Sequence, residues 1–211
     1  MPLEILKKTS VVMWIIKINI LVFFFWYVSL LLNSTFMVMN FLVSWDAVRE
    51  GRFWTLLTSV FSHNLFFHLF INMYFFYGFG KVLETTLGGA TFLRLYLTSG
   101  LLGSLGHCFF SIFLLHQPQL LALGASGAIS GVLVFFALNY PKERVYLFGL
   151  IPMPAIWGIF LFVGLDLTGL IAQTLGSELP IGYGAHLGGA FGGAINFLVY
   201  RSNDKRNYYG Y

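Results

Sequence analysis

The sequence predicts an all-α polytopic membrane protein, a bundle of six transmembrane helices. Three observations predict it. Of the 211 residues, 58% are hydrophobic and 9% are charged, whereas a soluble domain carries about 25% charged residues. The apolar residues gather into runs close to the roughly 20 residues that span a bilayer as a helix. The basic residues fall between those runs, almost all on one side. The net charge of +4 therefore orients helices and calls for no nucleic-acid partner. A lone cysteine, Cys108, excludes an intrachain disulfide. No repeat, low-complexity segment or linker divides the chain. A single domain over 1–211 is expected, with a short amino-terminal segment 1–10, a six-span core 11–200 and a tail 201–211.

The first span is expected over Val11 to Leu32. It is long enough to cross and lacks a small-residue cleavage site, so it reads as a span and not as a signal peptide. Lys17 can snorkel to the near interface. The stretch from Asn33 to Thr58 is too polar and broken to cross, and its scattered aromatics suit a loop half-sunk in the interface. The second span is expected over Ser62 to Val82 and the third over Ala90 to Leu114. The fourth runs from Ser126 to Tyr140, closed by Pro141. The fifth, Tyr146 to Thr174, is too long for one simple span, and Pro152 and Pro154 mark an irregular start. Gly176 to Gly184 is a loop, and the sixth span is expected over Ala185 to Tyr200.

With six crossings, Lys7, Lys8, Lys81, Arg94, Lys142, Arg144, Arg201, Lys205 and Arg206 share one side, and Arg49 and Arg52 share the other. The positive-inside rule then makes both termini cytoplasmic. It also puts His63, His68, Asn72, Ser126 and His186 in the outer half of the membrane. The fourth span has roughly 15 residues before Lys142, or about 22 Å of helix. The hydrocarbon is roughly 30 Å thick. Ser126 thus begins below the outer surface, where irregular backbone is tolerated only in protein or beside a wet cavity.

Ser126 stands between Gly124 and Gly127 at the start of a helix. The glycines leave space around the hydroxyl, and the helix aims its positive end at the same spot. That suits a nucleophile whose reaction creates an oxyanion. The bland alternative is a close-packing patch. Packing is expected in either case, because Gly127 and Gly131 share one helix face and Gly189 and Gly193 share another. His68 and Asn72, four residues apart, also share a face. They are either oxyanion donors or an interhelical clamp. His63 lies five residues before His68, which argues against a zinc pair, and His107 and His116 are peripheral. Glu84, midway between Gly80 and Gly88, is expected to bond a loop backbone as a structural residue. Asp166 is a candidate to complete a triad, although a buried carboxylate more often bonds a neighbouring backbone or takes part in gating.

These pieces together resemble the rhomboid family of intramembrane serine proteases. The matching motifs are His63-x4-His68-x3-Asn72, Gly80-x3-Glu84-x3-Gly88, Gly124-Ala-Ser126-Gly127 and Ala185-His186-Leu-Gly-Gly189, in the family's order and over most of the six spans. The resemblance implies a rhomboid-type six-helix bundle in which Ser126 is the nucleophile and His186 the general base, a two-residue site without a carboxylate. It implies oxyanion donors from His68, Asn72 and the Ser126 N–H, with His63 nearby. It also implies a mobile fifth span and a cap over the site, here Gly176 to Gly184.

Two departures stand out. Many members have Trp-Arg in the first loop, where this chain has Trp54-Thr55 with Arg52 just before. Many bacterial members have an aromatic four residues after the serine, packed on the histidine, where this chain has Ser130. Leu123 to Ile129 and Ala185 to Ala190 look more like the mitochondrial branch, which has an extra amino-terminal span. The short tails favour a bacterial plasma membrane. No metal or cofactor is expected. The expected partners are the lipid bilayer and transmembrane protein substrates, cleaved near the outer surface beside a small residue. Two rivals remain. A catalytically inactive relative could hold transmembrane clients for quality control, against which the serine and histidine argue. A transporter could use the same polar residues, but the chain lacks inverted repeats and paired broken helices.

Overall fold

A computed structural model describes residues 10–147, 150–177 and 181–209, with side chains through Ser202 apart from that of Leu147. Of the expected segments, the amino-terminal stretch through Thr9, residues 178–180 of the cap and the last two residues of the tail lie outside the described residues. The elements are α1 (Val11–Leu31), α2 (Phe36–Phe41), α3 (Trp45–Arg49), α4 (Thr55–Thr58), a 3₁₀ turn (Ser59–Phe61), α5 (Phe66–Leu87), α6 (Gly89–Phe113), α7 (Ser126–Asn139), β1 (Arg144–Leu147), β2 (Ile151–Pro154), α8 (Ala155–Thr174) and α9 (Tyr183–Tyr209). The protein is a helical, polytopic membrane protein. By length and hydropathy, α1, α6 and α8 are each able to cross a membrane. Helix α7 has 14 residues, which at 1.5 Å per residue is about 21 Å and shorter than the hydrocarbon layer.

Three boundaries differ from the sequence expectation, each for a local reason. The second long helix begins at Phe66 and not at Ser62, because Ser62 and Leu65 are both extended. His63 therefore precedes the helix that carries His68 and Asn72. The fifth segment opens as an antiparallel hairpin that pairs Arg144 with Pro154 and Leu147 with Ile151. Proline cannot donate to a ladder and sits at strand edges and helix starts, so Pro152 falls in β2 and Pro154 caps α8. The sixth helix continues through the polar tail to Tyr209.

Polar contacts tie the last turns of α5 to the start of α1. Glu84 Oε1 accepts from the Val11 N–H at 2.5 Å, and its Oε2 accepts from Ser10 Oγ at 2.5 Å. Lys81 Nζ stands 3.5 Å from the same carboxylate. Glu84 thus holds the start of α1. Gly80 faces α1 and α6, where a Cβ would lie 3.1 Å from Val12 and 3.2 Å from Phe92. Gly88 ends α5 at φ +76°, so α6 begins at once.

Lipid is as apolar as the helices, so association depends on close packing and polar ties. Helices α6, α7 and α9 meet through glycine. A Cβ on Gly189 would lie 1.8 Å from the Gly127 carbonyl oxygen, and one on Gly193 would lie 2.2 Å from that of Gly131. Gly106 and Gly188 close the α6–α9 contact in the same way, a Cβ on Gly106 falling 2.9 Å from Gly188 Cα. Asn196 Nδ2 adds a polar tie to Thr98 Oγ1 at 2.9 Å.

Candidate active site

The loop before α7 is pinned at each step. Val43 and Ala122 form a two-way backbone bridge of 2.9 and 2.8 Å. The Gly124 N–H donates to the Ser59 carbonyl at 2.9 Å, and the Ala125 N–H to His63 Nε2 at 3.4 Å. Gly124 has φ +122°, and a Cβ there would stand 2.8 Å from His68 Cε1. Only glycine meets both conditions. The chain then enters α7 with Ser126 as its first residue. The N–H groups of that first turn have no intrahelical acceptor. Ser126 Oγ has no hydrogen-bond partner among the described residues, and the Ser126 carbonyl accepts from Ser130 Oγ at 2.8 Å.

His186 lies in the first turn of α9, its N–H donating to the Gly182 carbonyl at 3.0 Å. The packing of Gly127 against Gly189 and of Gly127 against Ala185 sets α7 beside α9 at this level. The expectation of a histidine without a carboxylate partner is not met. His186 Nδ1 and Asp166 Oδ1 are 2.9 Å apart, and both side chains are largely buried. The aromatic that Ser130 fails to supply comes from another helix. Phe162 of α8 stacks on the His186 ring at 5.8 Å between centroids and 27° between planes. Ser130 is spent on its own helix, so the histidine is set by α8.

His63, His68 and Asn72 also converge. The fully buried His63 meets His68 edge-on at 4.9 Å between centroids. His63 is therefore the support of both His68 and the loop before Ser126. Asn72 Nδ2 donates one proton to the His68 carbonyl at 2.9 Å, which leaves its second N–H proton for another acceptor. His107, expected at the periphery, is buried and pairs through Nε2 with the Leu120 carbonyl at 2.9 Å, so it fixes the loop that leads toward Ser126.

The first loop is anchored despite its altered motif. Arg52 reaches the Met39 carbonyl at 3.2 Å and Glu50 at 2.6 Å, and Trp54 Nε1 donates to Asn40 Oδ1 at 3.0 Å. Arg52 thus acts three positions before the place where the pattern would put it.

Ser126, His186, His68 and Asn72 line one cavity of about 1010 Å³. It continues as an apolar slot between Ile71 and Phe75 of α5 and Ile159 and Phe162 of α8, toward Val145 and Met153 of the hairpin. A hydroxyl, an imidazole, an amide donor and a helix start around one cavity are the parts of an acyl-transfer site. Sequence reasoning missed Phe162, because an aromatic in an apolar helix carries no signal of its partner. It also missed the seat of α8, where Tyr183 lies against Gly169 so closely that a Cβ there would stand 2.3 Å from the ring.

Known proteins match this chain along most of its length. The model of the Rhomboid domain matches residues 50–203. RHOMBOID-like protein 12, mitochondrial, of Arabidopsis thaliana is 34% identical over 97% of this chain and 62% of its own length. Rhomboid protein 1, mitochondrial, of Saccharomyces cerevisiae is 36% identical over 67% of this chain and 40% of its own. Rhomboid-like protein 16, chloroplastic, of Arabidopsis thaliana is 32% identical over 72% of this chain and 51% of its own. The chain therefore spans about half the length of these relatives. Their names are organellar, so the expectation of a bacterial plasma membrane finds no support in them. The domain match covers the pinned Ser126 loop, His63, the histidine and asparagine of α5, and the glycine-packed α9, and with it the chain belongs to the rhomboid family.

Proposed function

We propose that this protein is an intramembrane serine endopeptidase that cleaves transmembrane segments of other membrane proteins. One observation carries the reading: α7 and α9, in backbone contact at Gly127 and Gly189, bring Ser126 and His186 to the same cavity as His68 and Asn72. Ser126 Oγ attacks the scissile carbonyl carbon. His186 takes the hydroxyl proton on Nε2, the nitrogen left over by the Nδ1 contact, and returns it to the leaving amine. The oxyanion forms against the Ser126 N–H, Asn72 Nδ2 and His68. Water, deprotonated by His186, then releases the acyl group and restores the serine.

The substrate on this reading is a helix that unwinds near the outer surface, with a small residue at the cleaved bond. Its apolar remainder fits the slot between α5 and α8. One domain holds the whole site, and the names of the relatives point to an organellar membrane.

The test is cleavage of a generic transmembrane substrate by the full chain in detergent micelles. Wild type cleaves, and Ser126→Ala and His186→Ala, folded as wild type, do not. A wild type that retains such a substrate on a column without cleaving it would instead make the protein an inactive holder of transmembrane clients.

A further inference from the structure

The orientation of His186 depends on α8. Phe162 and Asp166 are four residues apart, hence on one helix face, and both meet the same imidazole, one by stacking and the other at 2.9 Å. Asp166 is 4% exposed. A carboxylate so buried is costly without a partner. Neither of its oxygens accepts from a backbone N–H among the described residues, and Oδ2 has no hydrogen bond there. His186 is thus its one hydrogen-bond partner among them, which leaves the backbone-clamp alternative without a donor. Along α8 only Ala155, Asp166 and Leu170 are buried. Among the described residues, the charged or titratable side chains that face His186 are Asp166 from α8 and His68 from α5.

We propose that Asp166 is a positioning residue: it accepts the Nδ1 proton of His186, holds the neutral ring in that tautomer, and leaves the Nε2 lone pair for the Ser126 hydroxyl. The inference rests on the reading of Ser126 and His186 as nucleophile and base. A carboxylate facing Nδ1 disfavours the other tautomer, whose Nδ1 lone pair would oppose its charge. Phe162 limits tilting of the ring. Since both groups come from α8, the base is set correctly only while α8 is seated.

The test uses the full chain in detergent micelles with ¹⁵N-labelled histidine. His186→Gln assigns the His186 signal. Nitrogen–proton correlation spectra are recorded at a pH where the ring is neutral. In wild type the proton is on Nδ1. In Asp166→Leu, of similar volume and without an acceptor, it moves largely to Nε2, and kcat falls about 10²–10⁴-fold with KM within about twofold. A role in folding alone would lower stability and leave the tautomer unchanged. An Asp166→Leu protein that keeps the Nδ1 proton, or whose kcat stays within about threefold of wild type, overturns the proposal. If the leucine variant fails to fold, Asp166→Asn decides by kcat, an unchanged value overturning the inference. If wild type does not cleave at all, the reading of the site fails, while the tautomer still decides the role of Asp166.

Discussion

The carbonyl oxygen of Gly127 stands where a side chain on Gly189 would have to go, 1.8 Å from its ideal Cβ position. Two helix backbones touch there, one residue after Ser126 and three residues after His186. Backbone cannot yield as a flexible side chain does, so even a methyl group must push α7 and α9 apart. Gly189→Ala is expected to lose at least the 1–3 kcal/mol typical of overpacking, about that much or more. It should lose cleavage even where it stays folded. Thermal unfolding in micelles, followed by helical circular dichroism, and turnover per folded molecule measure the two effects.

Gly124→Ala should separate activity from stability. Its strain comes from φ +122° and from the 2.8 Å approach of the new Cβ to His68 Cε1. A non-glycine residue held in such a conformation costs about 1–3 kcal/mol. The loop can relax only by displacing His68 or the start of α7. Turnover is expected to fall by more than tenfold, about the equivalent of 1.4 kcal/mol, with KM little changed. Full activity in this variant would show that neither His68 nor the loop geometry matters to the reaction.

His68→Ala and Asn72→Ala should each lower kcat without abolishing it. One lost oxyanion donor costs about 10²–10³-fold where the hole is complete. Here the Ser126 N–H and the other side chain remain, so the smaller end applies. His68 also shields the Gly124 turn, so its loss should cost more than that of Asn72. Steady-state cleavage rates check the order, and full activity in both would make the pair only a clamp.

Glu84→Gln tests stability far from the site. The carboxylate holds Ser10 Oγ, the Val11 N–H and Lys81 at the start of α1. Hydrogen bonds to a charged group contribute about 1.5–3 kcal/mol, and the amide keeps part of that. A loss of about 1 kcal/mol is expected, read as a lower unfolding midpoint, with turnover of the folded fraction preserved.

Topology follows from the basic residues. A reporter fused after Tyr211 should lie on the side of Lys142 and Arg144, and one inserted at Ser177 on the opposite side. Both reporters on one side would overturn the six-span reading.

Much of this protein was legible in the sequence because its signals are local or periodic. Low charge and long apolar runs determined a helical membrane protein, since a bilayer leaves the backbone few other ways to satisfy its hydrogen bonds. Four-residue glycine spacing marked the contact faces of α7 and α9, and Gly124-Ala-Ser126-Gly127 marked a serine at a helix start. The tertiary structure decided what depends on neighbours distant in sequence. Asp166 read as an ambiguous buried carboxylate until α8 laid it 2.9 Å from His186. Phe162 was one aromatic among many until it stacked on that ring. His63 read as part of a helix, but it precedes α5 and its Nε2 accepts from the Ala125 N–H. The physical reason is the same in each case: hydropathy records whether a segment is buried in lipid, whereas the partner of a buried polar group is chosen by which helix faces pack together.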